Sequence, residues 1–370
     1  MRVLIWVQHL LGTGHTVRAA AIAQALKARG ARVTLALGAR PPAAADLAGL
    51  DILPLHPVGA TDGSFRVIID EAGASYESVA GTRRDTLLHH LATTGADAFL
   101  TETFPFGRRR FVGELLPVLA AARAGGARTF ASIRDVLVRK PAAKAAAMAD
   151  LARAHYDGVL VHADPRFVEL GDSFPPAAQI GDLLHYTGFV DARPPVAPAG
   201  AARQGVVVSA GGSNVGAGLV EAAIAAAALG DKGHGWRILV PPALADRLAA
   251  WQAAAGPNVT LEPNRPDFRQ LLAGAALSVS QAGYNTVLDV LDAGPRMVFV
   301  PFAAHEETEQ DDRAAALARR GLATVVPEGT LTPGALAAAV REALAGPLPG
   351  AVDFDRAGAA ASAALILAPR

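Results

Sequence analysis

The chain has no cysteine among its 370 residues, so neither a disulfide framework nor a thiolate-held metal is open to it. Neither charge is in excess. Lys+Arg and Asp+Glu stand at 34 each, which removes the electrostatic footing of a nucleic-acid partner. No apolar run reaches the roughly 18 residues that a membrane span needs. The opening apolar run, residues 3–7, is too short and too polar-flanked for a signal peptide and reads as a buried first strand. A soluble cytoplasmic protein is the expectation. The N-terminal glycines are followed neither by a P-loop lysine nor by a third glycine at dinucleotide-fingerprint spacing.

What is present is a large core and an alternating pattern. Hydrophobic residues make up 51%, and the length favours two domains over one. Strand-type runs at 3–7, 32–37, 51–55, 98–101, 128–132 and 158–162 alternate with helical stretches at 16–29, 82–93 and 113–124. The pattern breaks at the proline- and alanine-rich stretch 190–200, which reads as a linker. It resumes with strands at 205–209, 236–240, 258–261, 277–280, 297–300 and 323–326 and a helix at 217–229. Strands separated by helices imply crossover units and parallel sheets. The fold class is therefore α/β, with two doubly wound halves: residues 1–190, a linker at 191–203, and residues 204–352. A last helical segment, 353–370, is expected to pack back on the first half.

Turns that follow strands carry the chemistry. Gly12-Thr13-Gly14-His15, with Arg18, opens the first helix. The glycines admit close backbone approach, and a helix N-terminus favours an anion or polar ligand. His15 is a candidate general base or a helix-start cap. Gly211, Gly212 and Ser213 follow the first strand of the second half and either surround phosphate oxygens or form a plain turn. In the stretch 280–289, Gly283 permits close approach and Asn285 or Thr286 is expected to cap a helix. Asp289, one turn inside, either accepts hydrogen bonds from ribose hydroxyls or is a helix-start charge. The acid-rich turn at 305–312, with Glu309 and Gln310, supplies polar groups at the sheet edge or is a solvated helix start; it has no spacing of a recognised metal cage, and no metal site is expected. Glu102, Arg134, Asp135 and residues 162–165 follow first-half strands and are placed at the carboxyl edge of that sheet, with Arg134-Asp135 readable as an ion pair. Arg108-Arg109-Arg110 with Phe104 and Phe106 reads as a contact for an anionic acceptor or a membrane surface, or as a solvated face.

In this order the motifs resemble a GT-B glycosyltransferase close to family 28, the group that includes a peptidoglycan N-acetylglucosaminyltransferase. The resemblance spans nearly the whole chain. Its most specific part is Gly283-x-Asn285-Thr286-x-x-Asp289 through Glu309-Gln310-x-x-Arg313-Ala314. Gly14-His15 and Arg18 are also similar to a nucleotide-sugar hydrolase. Arg134-Asp135 and residues 162–165 look like a branch of predicted bacterial glycosyltransferases. The resemblance implies two Rossmann-like domains facing an interdomain cleft, the second holding a nucleotide-sugar donor, expected to be UDP-linked. The base would lie at the Arg265-Pro266-Asp267-Phe268 turn and the ribose on Asp289. The diphosphate would lie on Gly211, Gly212 and Ser213 with Gly283, Asn285 and Thr286, and the sugar on Glu309 and Gln310. On the acceptor side it implies His15 as base, with Gly12, Gly14, Arg18, Glu102, Arg134 and Asp135 around it. The implied reaction is inverting, metal-independent and cofactor-free, the nucleotide-sugar being a co-substrate. Asp289 stands where the family has a glutamate. The first half also lacks the peptidoglycan enzyme's His-Glu-Gln-Asn signature, so that acceptor is not carried over. The acceptor is an unidentified small molecule, glycan or lipid-linked group, and peripheral membrane contact stays open. The alternatives are a nucleotide-sugar hydrolase of the same fold and a non-catalytic nucleotide-sugar-binding protein.

Overall fold

The computed structural model describes the chain apart from residues 11–13, 62–64, 192, 197–201, 212–213, 231–232, 304–307, 350–351 and 370, and the side chain of Asn214. The chain folds as two units, Met1–Ala192 with Phe354–Arg370, and Arg193–Asp353. In the first, β1 (Arg2–Val7), α1 (Gly14–Ala28), β2 (Arg32–Leu37) and β3 (Asp51–Pro54) precede a small hairpin of β4 (Gly59–Ala60) and β5 (Ile68–Ile69). Then follow α2 (Tyr76–Thr94), β6 (Ala98–Glu102), α3 (Val112–Ala124), β7 (Arg128–Arg134), α4 (Ala142–His155), β8 (Gly158–His162) and β9 (Leu184–Tyr186). The second unit contains β10 (Val206–Ser209), α5 (Ala217–Leu229), β11 (Trp236–Val240), α6 (Leu248–Ala254), β12 (Val259–Pro263) and α7 (Phe268–Gly274). It continues with β13 (Leu277–Ser280), α8 (Tyr284–Ala293), β14 (Arg296–Phe299), α9 (Glu309–Arg319), β15 (Thr324–Val325) and α10 (Pro333–Ala345). The last helix is α11 (Gly358–Leu367).

Each unit is built on one parallel sheet. The first has the order β3-β2-β1-β6-β7-β8-β9 and the second β12-β11-β10-β13-β14-β15. Both orders reverse once, between β1 and β6 and between β10 and β13. In an open α/β sheet, ligands bind beyond the strand carboxyl ends at such a reversal. The apolar runs dictate this. Val3, Ile5 and Val7 turn one way and Leu4 and Trp6 the other, and all are buried, as a strand covered on both faces requires. On one face α1 presents Ala19, Ile22, Ala23 and Leu26, and α11 adds Ala363 and Ile366 to the same cluster. Truncating a side chain such as Ile22 to alanine there would cost about 2–5 kcal/mol. On the other face the indole of Trp6 donates to Glu114 at 2.8 Å, and Arg83 donates to Glu114 at 2.7 Å. In the second unit Val206 and Val208 pack with Val220 and Ala223 of α5 and Leu336 and Val340 of α10.

The expected terminal helix is shorter than its apolar composition implies. Residues 353–357 are not helical because their backbone groups are bonded elsewhere. Asp355 donates its N–H to Asp164 at 3.0 Å and accepts from Phe189 at 2.8 Å, while Phe354 sits edge-on to Phe167 and Phe189. Among the described residues no helix is long and apolar enough to cross a membrane.

Candidate functional site

The reversal in the first unit gathers residues from distant parts of the sequence. β1 runs out at Val7, and Gly14 and His15 open α1. Glu102 closes β6, the strand beside β1, and is buried. His15 Nδ1 lies 3.0 Å from Glu102 Oε1 and 3.1 Å from Thr103 Oγ1. Arg18, one turn along α1 and also buried, donates to the same Glu102 oxygen. Ser132 of β7 donates to the other oxygen at 2.6 Å. Thr103 holds φ at 70°, in the left-handed region that a β-branched residue avoids. That conformation brings its hydroxyl to the imidazole. His9 Nδ1, 2.8 Å from Thr16 Oγ1, ties the end of β1 to the first turn of α1.

Electrostatics fixes the protonation of the pair. Burial would push the Glu102 carboxyl up, but the Arg18 charge and the His15 and Ser132 hydrogen bonds hold it well below its usual range. Burial, reinforced by the Arg108 charge and opposed by the Glu102 hydrogen bond, holds His15 well below its ordinary value. The pair is thus a carboxylate and a neutral imidazole. A carboxylate only accepts, so the 3.0 Å Glu102 contact calls for the imidazole proton on Nδ1 and leaves the Nε2 lone pair basic, against the longer 3.2 Å approach of the Arg18 Nη2 donor to the same Nδ1. Arg134 closes β7 half-buried, and Asp135 follows it, buried. Gly12 lies outside the described residues. Phe104 and Phe106 are buried, which corrects the expectation that they lie on a contact surface with the arginine run: their rings fill the core under that loop.

The second unit's reversal joins the turns after β10 and β13. Gly211 adopts φ 75°, and its carbonyl accepts from Asn264 at 3.0 Å. Gly212 and Ser213 lie outside the described residues. Gly216, which the sequence reading did not single out, packs against β10. A Cβ there would stand 2.3 Å from Ala210 Cβ and 2.7 Å from its carbonyl oxygen, so only glycine lets the chain turn into α5 so close to the strand. Gly283, in extended conformation, is the N-cap of α8. This corrects the expected cap: Asn285 and Thr286 lie inside the first turn, and among the described residues no side chain caps the helix. The first-turn N–H groups of α8 are therefore not taken by a capping side chain.

Glu309 and Gln310 are the first residues of α9, the helix start that the acidic run also allowed, but Glu309 is buried rather than solvated. Gln310 Oε1 accepts from the backbone of Ala282 at 3.0 Å and of Phe302 at 3.1 Å, clamping the ends of β13 and β14 together. Arg313, one turn on, donates to the Ala282 carbonyl at 2.7 Å. Asp289 is buried in α8, where Arg193 stands 2.7 Å and Arg269 3.4 Å from its Oδ1. Arg269 also bonds Asp292 and the Pro194 carbonyl. Phe268 is the half-buried first residue of α7, after a turn in which Arg265 grips Asp267 through two hydrogen bonds.

Comparison with known proteins agrees with this layout. Residues 247–362 match the glycosyltransferase family 28 C-terminal domain. The solved glycotransferase of kitacinnamycin superposes with a TM-score of 0.64 at 16% identity, over 99% of this chain and 93% of that one. MurG of Acinetobacter baumannii does so with a TM-score of 0.61 at 18% identity, over 98% and 94%. The chain has the GT-B fold, and part of its second unit is similar to the family 28 C-terminal domain. Among curated relatives of this GT-B chain is the UDP-N-acetylglucosamine–N-acetylmuramyl-(pentapeptide) pyrophosphoryl-undecaprenol N-acetylglucosamine transferase of Rhodospirillum centenum. It is 33% identical over 114 residues, 30% of either protein. Its namesake from Albidiferax ferrireducens is 34% identical over 88 residues, 24% of this chain and 23% of that one. The matches thus span less than a third of the length of these curated relatives.

Proposed function

We propose that the protein is a glycosyltransferase that moves a sugar from a nucleotide-sugar donor, UDP-linked, to a hydroxyl of an acceptor, with inversion and without a metal. One observation carries this reading. The family 28 domain at 247–362 shares a chain with a neutral histidine backed by a buried carboxylate at the other unit's sheet reversal. The relatives' names supply the donor class, a UDP-linked sugar. In the reaction the acceptor oxygen attacks the anomeric carbon, its proton passes to His15 Nε2, and the anomeric C–O bond breaks toward the diphosphate. The turns at Gly211 and Gly283 and the uncapped start of α8 are suited to receive the charge of that leaving group. His15 acts by accepting a proton, so its lowered pKa keeps it competent at neutral pH.

The test uses the purified full chain. A thermal-shift panel of nucleotide-sugars identifies the donor first, because a ligand that binds only the folded state raises the melting temperature. Nucleotide release is then followed with and without acceptor mixtures. Acceptor-dependent release supports the transferase. Free sugar released at a catalytic rate without acceptor replaces it with a hydrolase, and binding with no turnover replaces it with a nucleotide-sugar-binding protein.

A further inference from the structure

Polar side chains continue beyond Glu102 into the first unit, and the mechanism above does not use them. Ser132 Oγ, 2.6 Å from Glu102 Oε2, is also 2.8 Å from His162 Nε2, and His162 Nδ1 is 2.8 Å from Thr187 Oγ1. Ser132 and His162 have no exposed surface, and Thr187 is 1% exposed. The row follows from the sheet. Glu102 pairs with Ser132 between β6 and β7, Arg134 with His162 between β7 and β8, and Val161 with Tyr186 between β8 and β9. Side chains alternate along a strand, so Glu102, Ser132 and His162 share one face, and Thr187 comes one step past β9.

The hydrogen bonds have one consistent direction. The Glu102 carboxylate only accepts, so the Ser132 hydroxyl proton points at it. The Ser132 oxygen then accepts from His162 Nε2–H, and His162 Nδ1 takes the Thr187 proton. Burial, with the Arg18 charge and against that of Glu102, pushes His162 down to about 3, which matches a neutral ring. The one Thr187 hydroxyl proton is then used on His162, so among the described residues the row stops at the backbone carbonyls of Val161 and Gly188, 3.3 and 3.2 Å away, which receive no proton from it. A row whose protons all point toward Glu102 orients groups rather than conducting charge.

We propose that His162 is a positioning residue: through Ser132 it holds the Glu102 carboxylate in the orientation that keeps the His15 proton on Nδ1. The role of that tautomer rests on the reading of His15 as the base. The position calls for a side chain that donates to Ser132 and accepts from Thr187. His162→Gln keeps a donor in place of Nε2, whereas His162→Phe fills the space and bonds nothing. Ser132→Ala cuts the link while leaving the ring in place.

The experiment is long-range imidazole 15N NMR on the full chain at pH 7, with His15→Gln and His162→Gln identifying the two signals. In the wild type His15 should show the Nδ1–H tautomer and His162 the Nε2–H tautomer; the opposite tautomer at either overturns the proposal. In Ser132→Ala and His162→Phe the His15 signal should move toward mixed tautomers, and in His162→Gln it should stay. An unmoved His15 signal in folded Ser132→Ala also overturns it. Once a donor is known, kcat should fall about 10- to 100-fold in Ser132→Ala with the donor KM unchanged, as expected for a misplaced group. The NMR result needs no substrate. Failure to find turnover therefore removes the transferase reading alone, and turnover with unmoved tautomers removes the positioning role alone.

Discussion

His15 Nδ1 and Glu102 Oε1 stand 3.0 Å apart although 87 positions separate the residues in sequence. One opens a helix and the other closes the strand beside it, so the contact is a product of the sheet order. Glu102→Gln keeps the shape but removes the charge that selects the His15 tautomer. In the proposed transfer, kcat should fall by about 10²–10⁴-fold, the range for loss of general base catalysis, with little change in donor KM. The same change leaves Arg18 buried without its anion, which should cost about 3–5 kcal/mol of stability. Steady-state kinetics and urea unfolding measure both, and an unchanged kcat removes the pair from the mechanism.

The buried histidines also predict how stability depends on pH. The unfolded chain protonates His162 near its ordinary 6.5, whereas the folded ring resists until about 3. Between those values the unfolded state binds more protons, so stability falls as pH falls, by up to about 1.4 kcal/mol per pH unit for this one group. His15, also held low, adds in the same direction. Glu102 is likewise held low, and it adds only below its ordinary 4.5. The urea midpoint of the full chain should therefore drop from pH 7 to pH 5, and less steeply in His162→Gln. Parallel slopes in the two proteins would contradict a neutral buried His162.

How much of this was readable in the sequence depended on which residues carried the signal. The strands were legible because runs such as Val206-Val207-Val208 are β-branched and bounded by turn residues. The helices α4 and α10 were not, because they are rich in alanine, which blurs the contrast between buried and exposed positions. In α4 only Ala145, Met148, Ala149 and Ala152 are buried. His15 and Glu102 were each visible after a strand, but their pairing needed the β1–β6 adjacency. Ser132 and Thr103 stood in the same strand-following stretches, but nothing in the sequence gave them a role, since a serine at a strand end and a threonine after one are ordinary until the sheet places them. Gly216 was hidden for a similar reason: what marks it is the closeness of Ala210.

Gln310 offers a sharp contrast between two roles. Its Oε1 holds two backbone N–H groups, a task that a glutamate oxygen can also perform. Gln310→Glu should therefore keep the melting temperature near wild type. Gln310→Met leaves both amides without that acceptor and should cost about 1–3 kcal/mol for each that stays buried. Thermal unfolding separates the variants. If Gln310→Glu nonetheless loses donor affinity by calorimetry, the side-chain amide also contacts the donor, as the family resemblance implies.

Asp289 decides between a ribose ligand and an anchor for the residues that lead into the second unit. Its Oδ1 faces Arg193 and Arg269, and Asp292 beside it accepts the Val196 N–H at 2.9 Å. The Arg193 side chain is 43% exposed, so that pair is screened and worth about 0–1 kcal/mol. The Arg193 pair therefore gives Asp289 little energetic reason to be an acid, which leaves the buried Arg269 or a ribose as what the carboxylate serves. Under the proposed donor site, Asp289→Ala should weaken UDP binding about 10- to 100-fold, the loss of a hydrogen bond to a charged acceptor. Arg193→Ala should leave the affinity near wild type. Calorimetric titration of UDP into the three proteins reads this out. Equal UDP affinity in wild type and Asp289→Ala, with a lowered melting temperature in the variant, would assign the carboxylate to the Arg269 cluster and move the ribose elsewhere.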